Sequence, residues 1–279
     1  MKLHFVKCNP TENMTILVMD PVPENRRPEI AAHMMQPTHL YAEQVGFVES
    51  PRLAGSKASL RLQMMGGELC VNALRSLAAV MAYKEYPGEP EAGNGICFEL
   101  ESSGLEKPIS CWVFPGEKPN TFLSETALPL PLLIESHAIE YEESHIEGTL
   151  VAFPGICHLV VDANDIKDQE SFFSSVIRQL DYRQDQALGI MFYHESQNYL
   201  EPLVWVRQTD SLVWERGCGS GTAAVGAAMA IRKKQKINQE IRQPGGLLAV
   251  TCGWESIKGL TALSLSGEIQ IVAEGTAFL

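Results

Sequence analysis

Two cysteines stand just before helix-like segments, and they are the residues of this chain best suited to proton transfer. Cys70 precedes the Ala-rich run Ala73–Tyr83, and Cys218 precedes the similar run Thr222–Lys234. The positive end of a helix dipole favours a thiolate, so the pKa of a cysteine placed there falls. The same end carries N–H groups without helical partners, which can bind a carboxylate. Each cysteine is therefore predicted to lie beside a carboxylate-binding site.

Two such sites facing one amino acid would form a racemase that needs no cofactor. One sulfur, as a thiolate, would remove the α-proton, and the other, as a thiol, would deliver a proton to the opposite face. The N–H groups would stabilise the charge that develops on the carboxylate. The more common role of a free cysteine is that of a small buried apolar residue. We assign that role to the remaining five cysteines: Cys8, Cys97, Cys111, Cys157 and Cys252.

The two cysteines lie about half the chain apart, so each half carries one cysteine at the start of one Ala-rich helix. This spacing predicts two similar lobes that share a cleft. Short strand-like runs alternate with few helices, which predicts an α+β or an α/β chain. These runs are Met14–Met19, Leu60–Met64, Cys111–Phe114, Leu159–Val161, Leu203–Val206 and Ile269–Val272. The segment Pro115–Pro131 contains four prolines and is the predicted linker.

Charge and composition exclude several classes of protein. The net charge of −12 argues against binding to nucleic acids or to anionic lipid, both of which need a basic face. No apolar signal region or membrane-length segment is recognisable, and the seven cysteines include no CxxC pair. We therefore expect a cytosolic protein with free thiols and no structural zinc. The acidic stretch Glu140–Glu147 is predicted to be a solvated loop.

Other polar residues carry weaker signals, and each has an ordinary structural explanation. Asn13 and Gln44 are uncharged hydrogen-bonding groups whose default role is in a loop or a cap. Glu215 could join a surface ion pair or belong to the site. We interpret His158 and the turn Gln243–Gly246 as structural.

Several motifs resemble the diaminopimelate epimerase family of cofactor-independent, two-cysteine racemases and epimerases. Cys70–Arg75 (CVNALR) is similar to the family's Cys-Gly-Asn-Gly-x-Arg signature, and Cys218–Thr222 (CGSGT) is similar to its second signature, Cys-Gly-Thr-Gly. Glu43–Gln44 matches an Asp-Gln segment, and Asn13 falls at the family's first substrate asparagine. His158 matches the histidine of a Gly-Asn-Pro-His segment.

The resemblance extends from Lys7 to Gly275 and implies the fold of this family. That fold has two pseudo-symmetric lobes, each a β-structure around a central helix, with the active site in the cleft between them. The implied N-terminal lobe is 1–126, to which a terminal strand at 268–279 returns, and the implied C-terminal lobe is 127–267. The resemblance also implies a homodimer and catalysis by the two cysteines without a cofactor or a metal.

Further site residues follow from the resemblance. It implies that backbone N–H groups near both cysteines bind the α-carboxylate, and that four polar side chains position the amino group and side chain of the substrate. The backbone groups belong to Val71, Asn72, Gly219 and Ser220; the side chains are those of Asn13, Glu43, Gln44 and Glu215.

Departures from the family's pattern bear on the substrate. Ile156 replaces an asparagine of the diaminopimelate epimerases, and their Glu-Arg-Gly-x-Gly-Glu-Thr run is absent at its usual spacing before the second cysteine. A second amino-carboxylate group would then be buried without partners, which argues against diaminopimelate. The runs NPTENMTILV, EQVGFVES, LVWERGCGSGTA and RQPGG resemble instead the histidine racemases of metallophore synthesis. This resemblance implies interconversion of L- and D-histidine, with D-histidine supplied to an opine metallophore.

Two alternatives remain open at the level of the sequence. The chain could be another isomerase of the same fold, for example of the phenazine-pathway or proline-racemase type. It could also be a protein that binds an amino acid without turning it over.

Overall fold

The computed structural model describes residues 1–180, 185, 187–207 and 211–279, with only the backbone described at 211. The chain forms two compact units. Unit 1 comprises Met1–Leu128 and Ser264–Leu279, and unit 2 comprises Pro129–Leu263. No helix in the described ranges is long and apolar enough to cross a membrane.

In the part of the chain that the structure describes, each unit contains two α-helices and a set of mostly antiparallel strands. The helices are α1 (Arg27–Met35) and α2 (Val71–Tyr83) in unit 1, and α3 (Gln169–Leu180) and α4 (Gly219–Lys233) in unit 2. The strands that lie wholly in unit 1 are β1 (Lys2–Asn9), β2 (Thr15–Val18), β3 (Gln44–Glu49), β4 (Leu60–Met64), β5 (Glu89–Glu91), β6 (Gly95–Ser102), β7 (Ile109–Pro115) and β8 (Thr121–Ala127). Those of unit 2 are β9 (Leu133–Tyr141), β10 (Ser144–Phe153), β11 (Ile156–Asp162), β12 (Ala187–His194), β13 (Tyr199–Val206), β14 (Ser211–Trp214), β15 (Ile237–Gln243) and β16 (Gly246–Glu255). The last strand, β17 (Gly259–Phe278), begins in unit 2 and runs into unit 1.

The strands of unit 1 close into a ring around α2. From β1 the pairing runs antiparallel to β2, parallel to β3, antiparallel to β4, parallel to β6 and antiparallel to β7. β8 then pairs with β7 and with β17, and β17 returns to pair with β1. α2 packs against six of these strands, so it is the central helix of the unit.

Unit 2 repeats this order of pairing. From β10 the pairing runs antiparallel to β11, parallel to β12, antiparallel to β13, parallel to β15 and antiparallel to β16. α4 packs against β10, β11, β12, β15 and β16. The other helix also occupies the same place, between β2 and β3 in unit 1 and between β11 and β12 in unit 2. The duplication inferred from the two cysteine motifs is thus present in the fold.

The Ala-rich composition of α2 and α4 follows from their central position. A helix surrounded by strands has no solvent-facing side, and small side chains let the strands approach it closely. Val71–Met81 of α2 are all buried. In α4, a Cβ on Gly226 would lie 2.5 Å from the Val250 side chain, so this position has room only for glycine.

Two predictions about the segments between elements need correction. The predicted linker Pro115–Pro131 does contain the boundary between the two units, at Leu128/Pro129, but it also contains β8. Thr121–Ala127 has strand-like alternation and pairs with β7 and β17, while the prolines fall at or outside the strand ends. The acidic stretch Glu140–Glu147 is not a loop. It forms the hairpin between β9 and β10, in which Tyr141 pairs with Ser144 and the turn residue Glu142 has a φ of 53°.

Candidate active site

Cys70 and Cys218 occupy the same position, the residue that caps the N-terminus of the central helix. Both have extended backbones, with φ −118° and ψ 107° at Cys70 and φ −101° and ψ 107° at Cys218. The Sγ atom of Cys70 accepts from the N–H of Ala73 at 3.4 Å, and that of Cys218 accepts from the N–H of Gly221 at 3.3 Å. The caps explain why α2 and α4 begin at Val71 and Gly219, before the Ala-rich runs.

In unit 1, a chain of side-chain hydrogen bonds runs from Cys70 to a carboxylate. The Cys70 thiol donates to Gln44 Oε1, the Gln44 amide donates to Asn13 Oδ1, and Asn13 Nδ2 donates to Glu43 Oε2 at 2.9 Å. At the Glu43 end of this series of hydrogen bonds the acceptor is a carboxylate oxygen, so Asn13 turns its NH2 group to Glu43 and its Oδ1 to Gln44. Gln44 in turn presents its carbonyl oxygen to the Cys70 thiol.

The turn that precedes Asn13 has two residues in the left-handed region of the backbone. Thr11 and Glu12 have φ values of 60° and 55°, and this region is especially rare for a β-branched residue such as Thr11. The Asn9 side chain accepts from the N–H of Glu12 at 2.6 Å and so stabilises this turn. Asn9 is a supporting residue that the sequence analysis missed.

The first turn of α2 contains Val71 and Asn72, as predicted, and a buried cation lies beside it. The Arg75 guanidinium donates to Asn72 Oδ1 at 3.2 Å and to the Ser124 carbonyl at 3.2 Å. Burial lowers the pKa of Arg75 to about 10, so it remains charged at neutral pH, and its positive charge interacts favourably with a thiolate at Cys70.

In unit 2, a carboxylate contacts the thiol directly. Cys218 is buried, and burial raises the pKa of its thiol well above the ordinary value; the charge of Glu215 and its hydrogen bond to Cys218 raise it further. Desolvation likewise raises the pKa of Glu215, while the hydrogen bond from Cys218 opposes that rise. Glu215 is therefore a hydrogen-bond partner of the Cys218 thiol and a candidate acceptor for its proton.

Gly219 and Ser220 form the first turn of α4, as predicted, and Ser220 links Cys218 to His158. The Ser220 hydroxyl lies 3.8 Å from Cys218 Sγ and 3.0 Å from His158 Nε2. His158 is fully buried, and burial lowers its pKa to about 3, so its ring is neutral. Among the described residues Nδ1 has no hydrogen-bond partner. It faces Gly189, where a Cβ would collide with the ring.

The remaining cysteines do not share this environment. Cys8, Cys111, Cys157 and Cys252 are buried, and burial raises the pKa of Cys8, Cys111 and Cys252 to about 12. Burial and then the charge of nearby Glu99 raise the pKa of Cys97. Within the part of the chain that the structure describes, no cluster of three or more His, Cys, Asp or Glu side chains could hold a metal ion.

The turn Gln243–Gly246 is more than the plain connection assumed from the sequence. The N–H of Gly245 donates to the Arg216 carbonyl at 2.7 Å, and the Arg216 guanidinium donates to the Pro244 carbonyl at 3.3 Å. The turn therefore holds the residues that lead into Cys218. Gln243 itself accepts a hydrogen bond from the Cys218 N–H. In the sequence, only the resemblance of the RQPGG run pointed to a role for Gln243 in the site.

Comparison with known proteins gives relatives across the whole chain. A family model described as the histidine racemase CntK N-terminal domain matches residues 2–278. A histidine racemase from Fusobacterium nucleatum subsp. nucleatum is 31% identical over 282 residues, which cover 99% of this chain and 97% of that protein. A histidine racemase from Staphylococcus aureus is 26% identical over 280 residues, which cover 99% and 98%.

Solved structures match the fold at low sequence identity. A hydroxyproline epimerase from Agrobacterium vitis has a TM-score of 0.69 at 10% identity, with 99% of this chain and 92% of that chain covered. A phenazine biosynthesis protein of the PhzF family from Bacillus anthracis has a TM-score of 0.68 at 12% identity, with 100% and 99% covered. These likenesses establish the epimerase-like α+β fold.

Proposed function

The chain belongs to the histidine racemase family, and we propose that it interconverts L- and D-histidine with Cys70 and Cys218 as the acid/base pair. The observation that carries this proposal is the repeated geometry of the two cysteines. Each caps the N-terminus of a central helix, and each is joined to a carboxylate, Cys218 directly and Cys70 through two amides. These are the groups that α-proton transfer needs.

The mechanism requires both sulfurs to act on one α-carbon from opposite faces. The thiolate of one cysteine takes the α-proton, so that an S–H bond forms as the C–H bond breaks and the electron pair moves into the carboxylate. The thiol of the other cysteine then protonates the opposite face and becomes a thiolate. The product leaves with the two protonation states exchanged, and proton exchange with solvent resets the pair. We assign to Glu215 the role of mediating this exchange at Cys218, which its hydrogen bond to the thiol supports.

The charge that develops on the substrate carboxylate needs stabilisation by donors. We assign this role to the N–H groups at the positive ends of the two helices, Val71 and Asn72 on α2 and Gly219 and Ser220 on α4. The side chains of Asn13, Glu43, Gln44 and Glu215 are assigned to the substrate's amino group and ring, in addition to their contacts with the sulfurs. A neutral imidazole suits the uncharged amides of Asn13 and Gln44.

Three further parts of the proposal rest on the resemblance and on the thiols. We assign the protein to the cytoplasm, because seven free cysteines, two of them required for the reaction, need a reducing environment. We propose a homodimer that needs neither pyridoxal nor a metal. Its product, D-histidine, would enter an opine metallophore.

The test is the conversion of L-histidine in deuterated water, followed by optical rotation and by α-proton NMR. Wild-type protein should racemise histidine and exchange its α-proton, with the rate unchanged by a chelator. Cys70→Ala and Cys218→Ala should each lose at least ~1,000-fold in racemisation, within the range of general acid/base effects. Cys97→Ala is the matched control and should keep wild-type activity. In wild-type protein, exchange of the α-proton without racemisation would refute the two-thiol mechanism, and so would full activity in Cys218→Ala. If wild-type protein binds histidine without exchanging its α-proton, the non-catalytic alternative is favoured.

A further inference from the structure

A closed set of hydrogen bonds holds the backbone of Cys218 on both sides of its Cα. Gln243 Oε1 accepts from the Cys218 N–H at 2.7 Å, and Gln243 Nε2 donates to Thr222 Oγ1 at 2.7 Å. The Thr222 hydroxyl in turn donates to the Cys218 carbonyl at 2.6 Å. The exposed fractions of Gln243, Thr222 and Cys218 are 2%, 0% and 3%, so water does not compete for these bonds.

The donors and acceptors of this set fit in one direction only. The Cys218 N–H can only donate, so Gln243 must present its carbonyl oxygen to it and its NH2 group to Thr222. The Thr222 hydroxyl then accepts from Gln243 and has its single proton left for the Cys218 carbonyl. A methionine at 243 would supply neither group, and an ionised glutamate would supply only the acceptor.

The set connects Cys218 to the sheet as well as to its own helix. Gln243 is the last residue of β15 and pairs with Gly246, the first residue of β16. The turn between them is bonded to Arg216, two residues before Cys218, from both directions. The backbone that aims the Cys218 sulfur is therefore fixed by the β15–β16 hairpin.

We infer that Gln243 is a positioning residue for racemisation, which acts through Thr222 and the Cys218 backbone and not through contact with substrate. This inference rests on the proposed function. Proton transfer to and from the α-carbon depends on the direction of the Cα–Cβ bond at Cys218. A misplacement of about 1 Å at a reacting group costs roughly 100-fold in rate.

The kinetic test compares Gln243→Met with Gln239→Met. Gln239 lies four residues earlier on β15, on the same face but partly exposed, and its side chain bonds only the Glu240 carbonyl among the hydrogen bonds described. We expect kcat for histidine to fall roughly 100-fold in Gln243→Met, with KM within about threefold of wild type. Gln239→Met should stay within about twofold of wild type in both. An unchanged kcat in Gln243→Met would overturn the inference.

A second readout separates positioning from general damage to the fold. Cys218 serves only one face of the α-carbon, so Gln243→Met should lose α-proton exchange in deuterated water for one enantiomer and keep it for the other. Equal loss for both enantiomers would mean a purely structural role and would overturn the inference. Thr222→Val removes the next group in the set and should affect the same enantiomer.

Amide hydrogen exchange tests the arrangement without any substrate. The Cys218 N–H should exchange at least ~10-fold faster in Gln243→Met than in wild type, and Gln239→Met should leave it unchanged. Unchanged protection in Gln243→Met would overturn the inference whatever the substrate is. Failure of wild-type protein to racemise histidine would refute the proposed function instead, so the two failures are distinguishable.

Discussion

Cys70 and Cys218 share a backbone geometry but differ in the groups around their sulfur atoms. Cys70 meets an amide oxygen and lies within the field of buried Arg75, whereas Cys218 meets the carboxylate of Glu215. A carboxylate next to a thiol raises its pKa, and a cation lowers it. Burial and the neighbouring Glu215 therefore raise the pKa of the Cys218 thiol, whereas the contacts described at Cys70 are an amide and a cation.

Glu215→Gln is expected to lower the pKa of Cys218. After burial, the charge of Glu215 is the largest cause of the raised pKa, so its removal lets the thiolate form at lower pH. At a fixed pH, iodoacetamide should then modify Cys218 faster in this variant. Mass spectrometry of the Cys218 peptide gives the rate of modification at each fixed pH, for example at about pH 8, 9 and 10. Glu240→Gln, on the surface of unit 2, is the control. A rate in Glu215→Gln equal to or below that of wild type would contradict the assignment.

The buried neutral His158 predicts a loss of stability in acid. Its pKa falls from 6.5 in the unfolded chain to about 3 in the folded one, so below pH 6.5 the unfolded state binds a proton that the folded state excludes. The free energy of unfolding contributed by this residue should drop by about 1.4 kcal/mol per pH unit between these two values.

Urea denaturation at neutral and mildly acidic pH, with wild type and His158→Gln side by side, checks this prediction. Wild type should lose more stability on acidification than His158→Gln, since glutamine does not titrate. His145→Gln, at an exposed position of β10, should behave as wild type. Identical acid dependence in wild type and His158→Gln would show that His158 takes up its proton within the fold.

At the scale of elements, each sulfur is placed by a helix terminus and by the residues packed under its first turn. In α4 that packing leaves no room for a side chain at Gly221. A Cβ there would lie 3.0 Å from Cys218 Sγ and would overlap the Met191 side chain on β12. The glycine is thus required by close approach, and not by an unusual backbone angle.

Gly221→Ala should displace the first turn of α4 and lower both stability and activity. Overpacking of this kind costs about 1–3 kcal/mol, and the shifted sulfur should reduce kcat by at least ~10-fold. The double variant Met191→Ala/Gly221→Ala provides the missing space and should recover part of both losses. Thermal unfolding and histidine racemisation measure the effect; a fully active single variant would show that the first turn tolerates the methyl group.

At the scale of the whole molecule, the same order of strand pairing surrounds α2 and α4, and the same cap precedes each helix. A duplicated scaffold supplies two equivalent helix termini, while the residues between the strands differ in the two units. Asn13, Glu43 and Gln44 come from unit 1, and Glu215 from unit 2. We expect these differences, and not the shared scaffold, to set the choice of substrate.

Histidine should be turned over in both directions, and diaminopimelate and alanine at least ~100-fold more slowly. Diaminopimelate brings a second charged end for which the chain lacks the family's usual partners, and alanine leaves the side-chain pocket unfilled. Optical rotation under identical conditions for histidine, alanine, proline and diaminopimelate decides this. A rate for diaminopimelate equal to that for histidine would refute the substrate assignment while leaving the two-thiol mechanism intact.

The sequence by itself determined the parts of this protein that depend on local chemistry. Ala-rich runs after Cys70 and Cys218, the second preceded by a Gly-rich turn, predicted two helices with cysteines at their starts. Leu60–Met64 was predicted with the bounds that β4 has. The repeat of one motif in each half predicted the duplication. Residues close in sequence to the sulfurs, such as Ser220 and Glu215, could be named because helix caps and first turns are local.

Only the tertiary structure decided which residues, distant in sequence, lie near the two cysteines. Gln243 and His158 reach the Cys218 region through strand pairing. Apart from the family resemblance, which includes His158 and the RQPGG run, neither has a sequence signal that separates a site residue from a turn or core residue. Thr121–Ala127 was taken for part of a linker because flanking prolines dominate its composition, while its strand character depends on partners far along the chain. Hydrogen-bond partners across a sheet are fixed by register between remote segments, and that register is a property of the packed molecule.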